Sequence, residues 1–300
     1  MKVLSAAVSD IGNVRQVNQD AYCILTDEAK NGNRMLAAVC DGMGGLSEGD
    51  YASSSVIETI TKWYRKRLPE LLEMQDWCFE IKKSLNQLLQ NENERLLQFG
   101  EQKQIKTGTT ASIAITVNNM LILAHIGDSR IYRMMDYGMK QLSIDHSLVQ
   151  EQVRKGILTK EQARKDRRRN ILTRCIGVNP ECEPQIDVIV LENQCSLLLC
   201  SDGFVHELED EEIAEELGIH KQKSQRKLKK RIRTLVDEVK ERGESDNITA
   251  VVVKCSDIPI TEYVTFSTEA EDTQRICNEF EEEITLQLYH DNNTNPKDMQ

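Results

Sequence analysis

Residues 110–126 read TASIAITVNNMLILAHI. Two short apolar runs, rich in Ile, Val, Thr and Leu, meet at Asn118–Asn119. Residues of that kind suit strands, and paired asparagines tolerate the left-handed backbone of a tight turn. The stretch therefore reads as an antiparallel hairpin.

Working outward, IYRMM (131–135) reads as the next strand of the meander, with Gly138 at the following turn. Apolar runs at 3–8, 21–25 and 35–40 read as strands, 185–191 and 196–200 as a second hairpin, and ITAVVV (248–253) as a buried strand. Helical spacing runs from Glu48 to about Leu68 and from Trp77 to Phe99, with Pro69 punctuating the gap. Residues 147–170 are polar and helical in character and end in ARKDRRRN. EDEEIAEEL (209–217) predicts a short acidic helix, and 224–241 a longer one burying Leu228, Ile232, Leu235, Val236 and Val239.

Strands in adjacent antiparallel groups with helices inserted in pairs disfavour a doubly wound sheet. The expectation is one α+β domain over residues 1–256 and a separate polar, acidic tail over 257–300. Within the tail, Ile276, Phe280, Ile284 and Leu288 recur every four residues and predict a helix near 269–289. The last residues, HDNNTNPKDMQ, have the composition of disorder.

The chain of 300 residues is 39% hydrophobic but only 5% aromatic, so its core must be mostly aliphatic. A net charge of −11 argues against nucleic acid or an anionic membrane as partner. The nine cysteines are scattered singly with no C-x-x-C pair, which suits reduced thiols and a cytoplasmic location rather than disulfides or zinc. No apolar run approaches a membrane span, and MKVLSAAVSD reads as a first strand rather than a signal peptide.

The chemistry lies where strands stop. Asp41 follows MLAAVC, Asp128 follows LILAHIG, Asp202 follows SLLLCS, Asp20 precedes AYCIL and Asp246 precedes ITAVVV. One such aspartate is ordinarily a turn former. Five at strand ends can aim carboxylates at one point, and an all-oxygen cluster suits Mg²⁺ or Mn²⁺ rather than zinc. In LAAVCDGMGG (36–45), the glycines around Asp41 suit either a phosphate cradle or the close approach of metal ligands.

In order, the chain carries RQVNQD (15–20), DGMGG (41–45), TGTTA (107–111), GDSR (127–130), DHS (145–147), RCIG (174–177), SDG (201–203) and SDNIT (245–249). Each motif alone is weak, but the ordered set is specific. It resembles the metal-dependent serine/threonine protein phosphatases of the protein phosphatase 2C family, bacterial type. The resemblance implies a four-layer α-β-β-α sandwich of two antiparallel sheets flanked by helices. It implies hydrolysis of phosphoserine and phosphothreonine in proteins by a water that two Mn²⁺ or Mg²⁺ ions activate, with no covalent intermediate. Asp41 would bridge the ions, the Gly42 carbonyl would bind one, Asp202 and Asp246 would complete the other, and Asp20 would act through water. Asp128 matches the position of a third, weaker site. Arg15 would grip the phosphate with its planar fork.

Two departures from the family pattern stand out. Met43 occupies the place where some members have a histidine that could act as general acid, which leaves the acid unassigned. Gln19 stands where animal members have Glu. Asn247 is expected to support Asp246, and Thr109, Thr110, Ser129 and Arg130 to shape the core and loops. His125 and His146 read as structural. RKDRRR (164–169) lies in a flap-like segment near 147–173 and could steer acidic substrates, whereas KLKKRIR (227–233) reads as the solvated face of a helix. Family analogy suggests phosphoproteins, and a Hanks-type serine/threonine kinase with its substrates, as partners of a monomer. The rival is a pseudophosphatase that binds phosphoproteins without turnover. The intact set of Arg15, Asp41, Asp202 and Asp246 favours the enzyme.

Overall fold

A computed structural model describes residues 1–29, 32–44, 48–135, 138–191 and 194–258. The chain forms β1 (Lys2–Asp10), β2 (Asp20–Ala29), β3 (Gly32–Gly44), α1 (Glu48–Leu71), α2 (Trp77–Lys103), β4 (Thr107–Thr109), β5 (Ala111–Val117) and β6 (Met120–Ile126). It continues through β7 (Arg130–Met134), β8 (Met139–Gln141), α3 (Leu148–Arg154), α4 (Lys160–Lys165), β9 (Gln185–Val190) and β10 (Gln194–Cys200). It ends in α5 (Asp202–Val205), α6 (Asp210–Leu217), α7 (Gln225–Glu241) and β11 (Ile248–Ser256).

Two sheets result, in the orders β1-β11-β10-β7-β8 and β2-β3-β5-β6-β9, with β4 paired to the end of β3. Every pairing is antiparallel. Strand side chains alternate between faces, and here both faces of the central strands are buried. On β3, Leu36, Ala38 and Cys40 pack into one apolar cluster with α1 and α2. Met35, Ala37 and Val39 point the other way, into a cluster shared with Leu197 and Leu199 of β10 and Val251 and Val253 of β11. The opposite face of that second sheet, Leu198, Cys200, Ala250 and Val252, meets α5, α6 and α7. Three apolar interfaces separate four layers, so the expected α-β-β-α sandwich is present. The expected face of α7 is the buried one, Leu228, Ile232, Leu235, Val236 and Val239, each side chain contributing roughly 1.5–3 kcal/mol of burial before entropy is charged against it.

The 110–126 hairpin forms as read, with Val117 opposite Met120 and Asn118 at φ +54°. Its neighbours differ from the reading. IYRMM does not continue the meander: β7 pairs with β10 in the other sheet, because Gly127, at φ +114°, turns the chain out of the first sheet. Nor do 185–191 and 196–200 form a hairpin. β9 closes the edge beside β6, whereas β10 lies between β11 and β7. Two apolar runs in succession look alike whether they pair or part.

The polar segment 147–170 is two short helices, α3 and α4, broken at Gly156 with φ +70°. α1 runs past Pro69 and stops within a turn of it, at Leu71. The eight cysteines among the described residues are all free thiols. The expected tail helix near 269–289 lies outside the described residues, as does Gly45.

Candidate metal centre

Asp20 opens β2, and Asp41 stands directly across the ladder from it on β3. Opposed residues on neighbouring antiparallel strands share a face, and like charges placed so repel. Asp202 opens α5 just after β10. Asp246 lies in the turn that leads into β11, and Asp128 in the link from β6 to β7. The five carboxylates converge at one end of the sandwich. Burial first, then the charges of Asp20, Asp202, Asp128 and Asp246, push the Asp41 carboxyl well above the usual range. Burial raises Asp20 to about 7, against hydrogen bonds from Thr249 and Ser201. Burial also raises Asp128, with Asp202 and Asp145 adding to it, and raises Asp202 against the opposing pull of His206.

The backbone around Asp41 is held by hydroxyls. Its N–H donates to Thr110 Oγ1 (2.9 Å), and Thr109 Oγ1 donates to its carbonyl (2.9 Å). Thr110 and Ser129 are joined through their hydroxyls at 2.6 Å. Thr109, Thr110 and Ser129 thus shape the frame, as expected. Asp41 and Gly42 are not a loop: β3 runs through Gly44, and Gly42 pairs with Thr109 of β4. Glycine is required there by close packing, since a Cβ would lie 2.1 Å from the Gly49 carbonyl oxygen and 2.7 Å from that of Gln19.

Arg15 is half exposed, and its Nη2 donates to Asp246 Oδ2 at 2.6 Å. Asn247 does more than support Asp246. Its Nδ2 donates to the carbonyls of Ile11 and Val17, and its Oδ1 accepts from Gln19 N, so it fastens the whole segment that bears Arg15 and Asp20. Ser201 Oγ donates to Asp20 Oδ2 (2.8 Å). Asp20 Oδ1 and Asp202 Oδ1 are buried oxygens with no hydrogen-bond partner. As the side chains stand, no three His, Cys, Asp or Glu groups among the described residues enclose one metal-sized point. Asp246 is turned to Arg15, and Asp202 Oδ2 to His206 Nε2 at 3.4 Å.

His206 and Glu244 were not anticipated from sequence. His206 Nδ1 bonds Glu244 Oε2 at 3.1 Å, and Glu244 is only 4% exposed. Against the burial that would raise it, the hydrogen bond and charge of His206 hold Glu244 down at about 2. Against burial likewise, Asp202 and Glu244 raise His206. The available signal was the four-residue step from Asp202 to His206 in SDGFVH.

The DHS motif is structural. Asp145 takes a fork of hydrogen bonds from Arg130, with Nη2 at 2.7 Å. His146 Nδ1 accepts from Gly127 N, and its ring lies 5.2 Å from that of His125. The flap arginines are largely engaged: Arg164 bonds Glu209 and the Leu208 carbonyl, Arg168 bonds Asp166, and Arg169 pairs with Glu207. On α7, Arg233 and Lys240 bind Asp10, and Arg231 binds Glu216.

A family model described as protein phosphatase 2C matches residues 13–248. The chain belongs to the protein phosphatase 2C family. The serine/threonine phosphatase stp of Listeria monocytogenes is 32% identical over 248 residues, which span 82% of this chain and 93% of that protein. The solved serine/threonine phosphatase of S. agalactiae is 32% identical, with a TM-score of 0.71 over 84% of this chain and 99% of that one. The catalytic domain of the phosphatase PstP, solved in complex with 2 manganese ions, is 29% identical, with a TM-score of 0.69 over 85% of this chain and 99% of that one. The family and sandwich expected from the ordered motifs are both borne out.

Proposed function

We propose that this chain is a metal-dependent protein phosphatase that hydrolyses phosphoserine and phosphothreonine in proteins. The observation that supports it most is the set of carboxylates drawn from separate strands and turns around Asp41. The donor set fits hard divalent ions: it is all oxygen, and two of its buried oxygens, Asp20 Oδ1 and Asp202 Oδ1, have no donor from the protein. In this reading Asp41, the Gly42 carbonyl, Asp202 and Asp246 hold two Mn²⁺ or Mg²⁺ ions. Asp20 contributes through water, and Asp128 belongs to a third, weaker site.

When bound, such a pair of ions supplies an activated water and charge neutralisation for in-line attack at phosphorus. The chain's own groups do the rest. β2 and β3 hold Asp20 and Asp41 in fixed register. Arg15, half exposed beside Asp246, reaches phosphate oxygens with a planar fork that lysine lacks.

We take residues 1–256 as the catalytic unit and 257–300 as a tail, a division that truncation tests. Among the described residues no helix is long and apolar enough to cross a membrane, and we place the enzyme in the cytoplasm as a monomer opposing a serine/threonine kinase. Nothing in the comparisons favours the pseudophosphatase, and no candidate ligand is missing. The test is hydrolysis of p-nitrophenyl phosphate and a phosphothreonine peptide with Mn²⁺, with Mg²⁺ and with EDTA. Turnover that requires Mn²⁺ or Mg²⁺ and vanishes with EDTA is expected. A folded, metal-binding protein with no turnover on either substrate would overturn the assignment in favour of the phosphoprotein-binding rival.

A further inference from the structure

Glu244 is a buried carboxylate that touches the surroundings of two candidate ligands at once. Its Oε1 accepts from the backbone N–H groups of Ser245 (2.6 Å) and Asp246 (3.0 Å). Its Oε2 takes His206 Nδ1 at 3.1 Å. The far nitrogen of the same ring, His206 Nε2, lies 3.4 Å from Asp202 Oδ2. Asp202 belongs to the start of α5 and Asp246 to the turn before β11, two elements joined here through one imidazole and one carboxylate.

Both partners are fixed. His206 closes α5 and is mostly buried. Gly203, one residue after Asp202, packs so closely on the Asn247 carbonyl that a Cβ would fall 2.2 Å from its oxygen, so α5 and the Asp246 turn are already in contact. His206 Nε2 faces one oxygen of Asp202 as a charge contact at 3.4 Å, and the other oxygen, Oδ1, has no hydrogen-bond partner. Groups behind a metal ligand orient it and tune its basicity, and losing one typically weakens metal affinity by roughly 10–100-fold.

We propose that Glu244 and His206 form a positioning pair that fixes Asp202 relative to Asp246 and thereby sets the affinity of the ion these two hold. This rests on reading Asp202 and Asp246 as ligands. Neither Glu244 nor His206 touches the reacting atoms; they act through the two aspartates.

The experiment is calorimetric titration of Mn²⁺ into the full-length protein, alongside thermal unfolding in EDTA. Glu244→Ala should weaken one class of Mn²⁺ site by roughly 10-fold or more and leave the other class near its wild-type affinity. Glu244→Gln keeps an acceptor for the backbone N–H groups and an amide that can donate to His206 Nδ1, and should restore most of the loss. His206→Phe keeps a ring and removes both polar contacts. It should reproduce the weakening even if Glu244→Ala fails to fold. A general structural role would lower the unfolding temperature in EDTA and weaken both classes together, and that result overturns the proposal. Unchanged Mn²⁺ affinity in both Glu244→Ala and His206→Phe, with wild type binding normally, overturns it while leaving the phosphatase reading intact. Mn²⁺ binding that is unchanged in both Asp202→Asn and Asp246→Asn overturns both readings.

Discussion

Asp41 faces Asp20 across the β2–β3 ladder and feels the charges of Asp202, Asp128 and Asp246. Asp41→Asn should cut Mn²⁺-dependent turnover by at least about 100-fold, the scale of losing a group that stabilises developing charge. The fold should survive. A carboxyl whose folded-state pKa lies above its unfolded value works against folding as pH rises between the two. Asparagine removes that penalty, so the variant in EDTA at pH 7 should melt no lower than wild type; a lower melting temperature would show that the carboxylate is needed for the fold. His125 titrates in the opposite sense. Ser112 Oγ bonds its Nδ1 (2.9 Å) and its Nε2 bonds the Gly127 carbonyl (3.1 Å), which fits a neutral ring. Burial pushes its pKa down to about 4. The unfolded chain takes up that proton near pH 6.5 and the folded one does not, so stability present above pH 6.5 is lost as pH falls towards 4. Urea unfolding at pH 7 and pH 4.5 should show that His125→Gln reduces the acid-induced loss by about 2–3 kcal/mol. An unchanged loss would mean the ring is protonated in the fold.

Elements differ in how plainly they were written. α7 was legible because five apolar residues at helical spacing define one face, and that face is the buried one. The 110–126 hairpin was legible because Asn118–Asn119 names the turn. The placement of β7, β9 and β10 was not, because apolar runs report burial but not which sheet provides it. The same limit hid His206: α5 is only four residues long, too short for any periodicity, and Glu244 approaches it from a distant turn. The aspartates were legible because strand ends are rigid. The extension of β3 through Asp41–Gly44 was not, since glycines there looked like a loop. That extension makes Gly42 sensitive: Gly42→Ala should drive a Cβ into the Gly49 carbonyl at the start of α1. It should lower the melting temperature by several degrees, the scale of about 1–3 kcal/mol of overpacking in a well-packed site. A variant as stable as wild type would show that β3 and α1 can separate there freely.

For the whole molecule, two sheets buried on both faces leave the carboxylate end of the sandwich as the place where separate strands present polar groups. β11 runs to Ser256, opposite Lys2 and Gln194, and Asp257 pairs with Lys2. The catalytic unit is therefore better cut after Ile258 than at 256. Deleting residues 259–300 should leave hydrolysis of p-nitrophenyl phosphate nearly intact, because every paired strand among the described residues and every candidate ligand lies before residue 258. A large loss would show that the tail belongs to the catalytic unit.

We propose that Asp41 would be a ligand of both divalent ions when they are bound. The most direct measurement is anomalous diffraction from crystals of the protein grown with Mn²⁺. Two strong peaks about 3.5–4 Å apart are expected, both in contact with Asp41, one touching the Gly42 carbonyl and the other Asp202 and Asp246. Strong peaks away from Asp41, or none in crystals that retain the fold, would contradict it.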